Sequence, residues 1–188
     1  MAQNSIPCPT LENILEGESC YENFAGTSSV VYVGIKADLA SPMEREDNVY
    51  STPVFKSGKG LYRFDCKDEA QKMAYKNLGY RNGFEITGTF VLEEVSKLTS
   101  RVGRALNNLS LFYIMPDSNG DTLIMYDPIK KCKIGDGDMT GDTGAAPSDD
   151  RVTTVNVKLS PAPYGHLYVT PPQTGGWDSL LADAGSSD

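Results

Sequence analysis

The amino-acid sequence predicts a mainly β protein, a β-sandwich or small β-barrel with one flanking α-helix, and three stretches carry that prediction. In residues 84–94, Phe84, Ile86, Gly88, Phe90 and Leu92 fall on one face and Glu85, Thr87, Thr89 and Glu93 on the other. This is the period of two expected of a half-buried strand. Thr153, Val155, Val157 and Leu159 repeat the pattern. Helical spacing occurs clearly once, at about residues 94–107, where Val95, Leu98, Val102 and Ala105 recur as an apolar stripe. Gly103 weakens this helix by about 1 kcal/mol relative to Ala, and Asn107-Asn108 end it.

The remaining elements follow in order. Residues 30–36 (VVYVGIK) are rich in β-branched side chains and read as a strand. Residues 37–48 are polar, contain Pro42 and read as a long loop. Residues 49–55 form a strand that Pro53 confines to an edge. KSGKG at 56–60 is a turn, and residues 61–66 (LYRFDC) alternate as a strand. Residues 67–80 fit either a short helix or a strand after a turn, and local propensity favours the helix. Residues 109–115 and 122–126 flank Asn119-Gly120, a pair that tolerates positive φ and marks a β-hairpin. A short strand is expected at 131–134, a Gly/Asp loop at 135–150 and a last strand at 164–170. Three segments result: an N-terminal segment 1–27, a β domain 28–170 and a flexible acidic tail 171–188 in which Trp177 and Leu180-Leu181 stand isolated.

Charge narrows the function classes. Twenty-five acidic against 17 basic residues give a net charge of −8, the wrong sign for a surface that grips nucleic-acid phosphates. It remains compatible with a channel through which a polyanion slides. The N-terminus lacks the basic start and apolar run of a signal peptide, and no stretch has the ~20 apolar residues of a membrane span, so a cytoplasmic start is expected. Cys8, Cys20, Cys66 and Cys132 form no C-x-x-C pair and are expected as free thiols, although spacing leaves a Cys8–Cys20 disulfide open.

Each candidate for chemistry has a plainer explanation. Asp117, Asn119 and Asp121 begin like a calcium loop, but Thr122 stands where Gly is needed and Pro128 where a bidentate Glu is needed. Asp136, Asp138 and Asp142 have the composition of any exposed turn. His166, the sole histidine, lies in an expected strand without a nucleophile signature. Glu93 and Glu94 suit a helix N-terminus better than an acid/base pair. No catalytic, cofactor-binding or metal-binding residue is therefore assigned, and the chain is read as a non-enzyme.

The order of the pieces resembles the tail tube proteins of tailed bacteriophages, relatives of the tubes of contractile injection systems. The resemblance rests on VYVGIKAD (31–38), GKGLYRFD (58–65), NGFEITGTFVLE (82–93) leading into the helix, LNNLSLFYIMPDSNGD (106–121) and GDMTGDTGAAPSDDRVTTVNVKLSPAPY (137–164). It covers roughly residues 28–170. It implies a virion structural protein made in a bacterial cytoplasm and self-assembling into rings, commonly of six, that stack into a hollow conduit. Its partners would be copies of itself, other tail proteins and DNA passing without specific binding, with no membrane and no cofactor. By that analogy Ala37, Leu39, Pro42, Met43 and Arg45 in the long loop, the N-terminal segment as an assembly arm, and Val95, Leu98 and Val102 on the helix are the expected subunit contacts. An acidic lumen would let DNA slide, and loops 37–48 and 135–150 are expected to be mobile before assembly. The alternative is a monomeric β-sandwich binding module for carbohydrate or a surface receptor, suggested by ten tyrosines.

Overall fold

The structure is a computed structural model that describes residues 26–146 and 148–182. In chain order its strands are β1 (Val30–Ile35), β2 (Arg45–Glu46), β3 (Val49–Tyr50), β4 (Tyr62–Asp65), β5 (Lys72–Asn77), β6 (Phe84–Leu92), β7 (Leu111–Pro116), β8 (Thr122–Met125), β9 (Met139–Asp142), β10 (Val152–Ala162) and β11 (Tyr168–Val169). One α-helix, α1 (Lys97–Asn108), joins β6 to β7. The strands form a seven-stranded sheet in the order β2-β3-β11-β8-β7-β1-β4 and a four-stranded sheet in the order β5-β6-β10-β9. The fold is mainly β, of the sandwich class, as the alternating segments predict.

The central strands of the larger sheet are continuous apolar runs, and β7 and β8 are buried along almost their whole length. Two covered faces explain this, since a strand with no wet side has no reason to alternate. One face meets the smaller sheet, where the Phe90 and Tyr113 rings lie 5.9 Å apart. On the other face Phe55 stacks 6.4 Å from Phe112, and Tyr50 meets Tyr126 edge-on at 5.1 Å. Trp177 lies 6.3 Å from Tyr32 on the same face. Removing each such large side chain from water contributes about 1.5–3 kcal/mol. Gly34 is required at this layer: a Cβ there would sit 2.1 Å from the Phe112 ring.

The smaller sheet follows the opposite rule. Ile86, Gly88, Phe90 and Leu92 of β6 and Thr153, Val155, Val157 and Leu159 of β10 face the core, and the residues between them stay half-exposed. Helix α1 is capped by Ser96, whose hydroxyl accepts the Leu98 and Thr99 N–H groups at 3.1 and 3.2 Å. The Thr99 hydroxyl in turn accepts the Ser96 N–H at 2.8 Å, closing a capping box.

Five expectations change, the first being that the edge strand at 49–55 shrinks to β3 (Val49–Tyr50), which lies between β2 and β11. Residues 72–77 are a strand, not a helix: β6 supplies a full antiparallel register from Lys72↔Thr89 to Asn77↔Phe84, and tertiary pairing overrides local propensity. The loop expected at 135–150 contains β9, paired with the start of β10. The stripe expected from Val95, Leu98, Val102 and Ala105 holds only in part, with Val102 packed half-buried against the core. Leu98 is 56% exposed, whereas Gly103 and Leu106 are buried, with Gly103 seated on Met139. Finally, residues 171–182 are not a free tail. Trp177 is buried, Leu61 N–H donates to the Leu180 carbonyl at 2.8 Å, and Ala182 N–H donates to the Leu61 carbonyl at 2.9 Å. The Tyr32 hydroxyl donates to Asp178 at 2.9 Å, and Arg63 pairs with the same carboxylate at 3.0 Å. Residues 1–25, with Cys8, Cys20 and most of the expected assembly arm, lie outside the described residues, as do residues 183–188.

Candidate functional site

The sheet topology leaves two features open, strand edges and one polar face. β5 and β9 are the two end strands of the smaller sheet, and among the described residues neither carries a further strand on its outer side. Register places Lys72, Ala74 and Lys76 of β5 beside Thr89, Thr87 and Glu85 of β6. These in turn lie beside Asn156, Lys158 and their neighbours on β10, and Thr140 and Asp142 of β9 lie beside Thr154 and Val152. This outer face is knitted by polar contacts. Thr89 donates to Asn156 at 2.7 Å, Lys76 pairs with Glu85 at 2.7 Å, and Lys158 pairs with Asp138 at 2.7 Å. The Lys158 ammonium holds the Asp138 carboxyl below its ordinary range. Lys72, Lys76 and Lys158 thus stand against Glu85, Asp138 and Asp142, so the face is balanced in charge rather than acidic.

The two flanks of the molecule differ. On one, the β2–β3 turn and the β5–β6 turn border a cleft of about 980 Å³ that includes Arg45, Asp47, Arg81, Asn82 and Tyr164. Arg45 is held there over the rings of Tyr50 and Tyr164, at 5.9 and 5.5 Å. On the other flank, β9 and α1 meet through Gly103 and Met139. A shallower groove of about 620 Å³ runs along the N-terminal half of α1, lined by Lys97, Arg101, Arg104 and Arg151.

The expected contact residues are not equally placed. Leu39 and Met43 are buried in the core, Met43 with its N–H donating to the Tyr126 hydroxyl at 3.3 Å, so neither is open to a partner. Ala37 and Pro42 are exposed, and Arg45 is half-buried by its tyrosines. Val95 and Val102 are half-buried and Leu98 is open. The segment 37–48, expected to be mobile, is tied down by the Ala40 N–H to the Val54 carbonyl and by the Lys56 N–H to the Asp38 carbonyl, at 2.8 and 2.9 Å.

The candidates for chemistry serve the fold. His166 sits half-buried with its ring edge-on to Tyr75 at 4.8 Å and makes no hydrogen bond among the described residues. Burial lowers its pKa, opposed by the Asp117 carboxylate. Asp117 accepts the Ser118 N–H at 2.8 Å inside the hairpin turn. Asp138 accepts the Gly135 N–H at 3.1 Å and Asp142 the Gly144 N–H at 2.9 Å. Glu93 and Glu94 are exposed and precede the Ser96 cap. Cys66 and Cys132 are free and buried, and burial pushes both thiols up to about 12, far from a reactive thiolate. Among the described residues no group of three or more His, Cys, Asp or Glu is placed to hold a metal ion, and no helix is long and apolar enough to cross a membrane. No protein-family model, curated protein or solved structure matches this chain.

Proposed function

We propose that the chain is a structural subunit of a phage or prophage tail tube, assembling with copies of itself into stacked rings around a conduit for DNA. The observation that carries this reading is the four-stranded sheet, whose inner face is core, whose outer face is polar and whose two end strands have no outer neighbour among the described residues. A free strand edge is a template for another chain. If β5 of one copy pairs with β9 of the next, six copies contribute 24 strands, a wall of about 115 Å circumference and about 37 Å diameter before tilt widens it. A DNA duplex passes through such an opening. The polar face then lines the conduit, and its balanced charge replaces the acidic lumen expected from composition. A head-to-tail contact of this kind closes into a ring, and stacked rings form a tube.

A second reading, a monomeric module for carbohydrate or a surface receptor, draws on Tyr80, which is 85% exposed beside the cleft residue Arg81. Negative-stain electron microscopy across a concentration series separates the two. Rings or hollow tubes are the expected result. A persistent monomer that binds a glycan array would overturn the tube reading in favour of the module.

A further inference from the structure

The β2 edge of the seven-stranded sheet is acidic, and the groove along α1, off that sheet, is basic. At the β2 edge, the turn between β2 and β3 presents Glu44, Glu46 and Asp47, all exposed and without an ion pair among the described residues. Arg45, the one cation inside this stretch, is turned onto Tyr50 and Tyr164, and Arg81 and Lys130 line the cleft beside the turn. At the other end of the sheet the chain leaves β4 and reaches Lys67, whose N–H donates to the Val91 carbonyl at 2.7 Å and whose ammonium pairs with Asp150 at 2.5 Å. The next residue, Arg151, donates to the Val95 carbonyl at 2.7 Å and so fixes the start of α1 beside this edge.

The groove there is lined by Lys97, Arg101, Arg104 and Arg151, with no carboxylate in its lining. Lys97, Arg101 and Arg104 make no ion pair among the described residues, and Glu93 and Glu94 lie outside the groove. In a chain of net charge −8, four cations gathered with no ion pair among the described residues are a local reversal of sign. The acidic turn shares its flank with the β5–β6 turn, and the basic groove shares its flank with β9.

We propose that the occupant of the basic groove is the acidic β2–β3 turn of a second copy of this chain. The inference rests on the self-assembly reading and adds the surface that selects partner and direction. The acidic turn lies by the end of β5 that runs into β6, and the basic groove lies by the start of β10, so the two charged sites are separated along the strands of the smaller sheet and give the subunit a head and a tail. Like-charged flanks repel, which excludes head-to-head and tail-to-tail pairs. Strand edges alone do not encode that direction.

The test uses two charge-reversed proteins, Glu44→Lys/Glu46→Lys and Arg101→Glu/Arg104→Glu, with mass photometry of the full chain at low and high salt. Thermal melting confirms that each is folded. Each variant alone associates at least about ten-fold more weakly than the parent. Mixing the two restores association, because the acidic groove of one accepts the basic turn of the other and the two alternate. Combining all four changes in one chain restores it as well. Association of the parent weakens as salt is raised. The neutral variant Arg101→Gln/Arg104→Gln, weakened but not reversed, serves if a reversed protein fails to fold. If the parent assembles and the variants assemble equally well, this surface is wrong and the tube reading stands. If the parent stays monomeric at every concentration, both fall.

Discussion

The two sheets obey different rules although one core joins them. The central strands of the seven-stranded sheet are apolar on both sides, closed by the smaller sheet on one face and by Tyr50, Phe55 and Trp177 on the other. The four-stranded sheet keeps one side dry and one side polar, and its end strands β5 and β9 have no outer neighbour among the described residues. The larger sheet is therefore the part that makes the fold stable, and the smaller sheet is the part left available to a neighbour.

Substitutions sharpen this contrast in a predicted order. Phe112→Ala empties the centre of the outer layer and is expected to cost about 3–5 kcal/mol in urea unfolding. Gly34→Ala drives a methyl group into the Phe112 ring, whereas Gly88→Ala meets the ends of Met125 and Met115 at 2.7 and 3.2 Å. Methionines yield and a packed ring does not. Gly34→Ala is therefore expected to cost at least about 1–3 kcal/mol and Gly88→Ala less; equal costs would break the comparison. Thr87→Val, on the polar face of β6, is expected to stay within about 0.5 kcal/mol of the parent.

A pH series gives a smaller effect with a defined sign. Burial lowers the His166 pKa in the folded chain relative to the unfolded one. Above about 6.5 both states are neutral and nothing is lost. As pH falls below that value the unfolded chain takes up the proton first, and stability declines. His166→Gln is expected to flatten the denaturation midpoint between pH 7 and 5.5 relative to the parent.

The same contrast explains what could be read from the sequence. β6 and β10 were legible because a sheet with one wet face must alternate, and their registers place Ile86 and Leu159, or Phe90 and Val155, side by side on the dry face. β5 carried a weaker form of that signal, Met73 and Tyr75 alternating with Lys72, Ala74 and Lys76, masked by residues that also suit a helix. β9, Met-Thr-Gly-Asp, has little strand propensity of its own and owes its state to β10. The stripe of α1 is only partly legible because one of its contact points is Gly103, which no hydrophobic count registers. Trp177 looked isolated because its partner, Tyr32, lies at the far end of the chain. Of the expected contacts, Leu39 and Met43 are apolar because they are core, while the acidic turn is contiguous in sequence and Lys97, Arg101 and Arg104 share one helix, so only Arg151 of the basic groove is brought in by the fold.

The central claim is that the edges of the smaller sheet pair between copies. Amide hydrogen exchange of dilute monomer and concentrated assembly measures it directly. The account predicts that assembly slows exchange in β5 and β9 while the amides of β7 and β8, already buried, change little. An assembly in which β5 and β9 exchange as fast as in the monomer would contradict it.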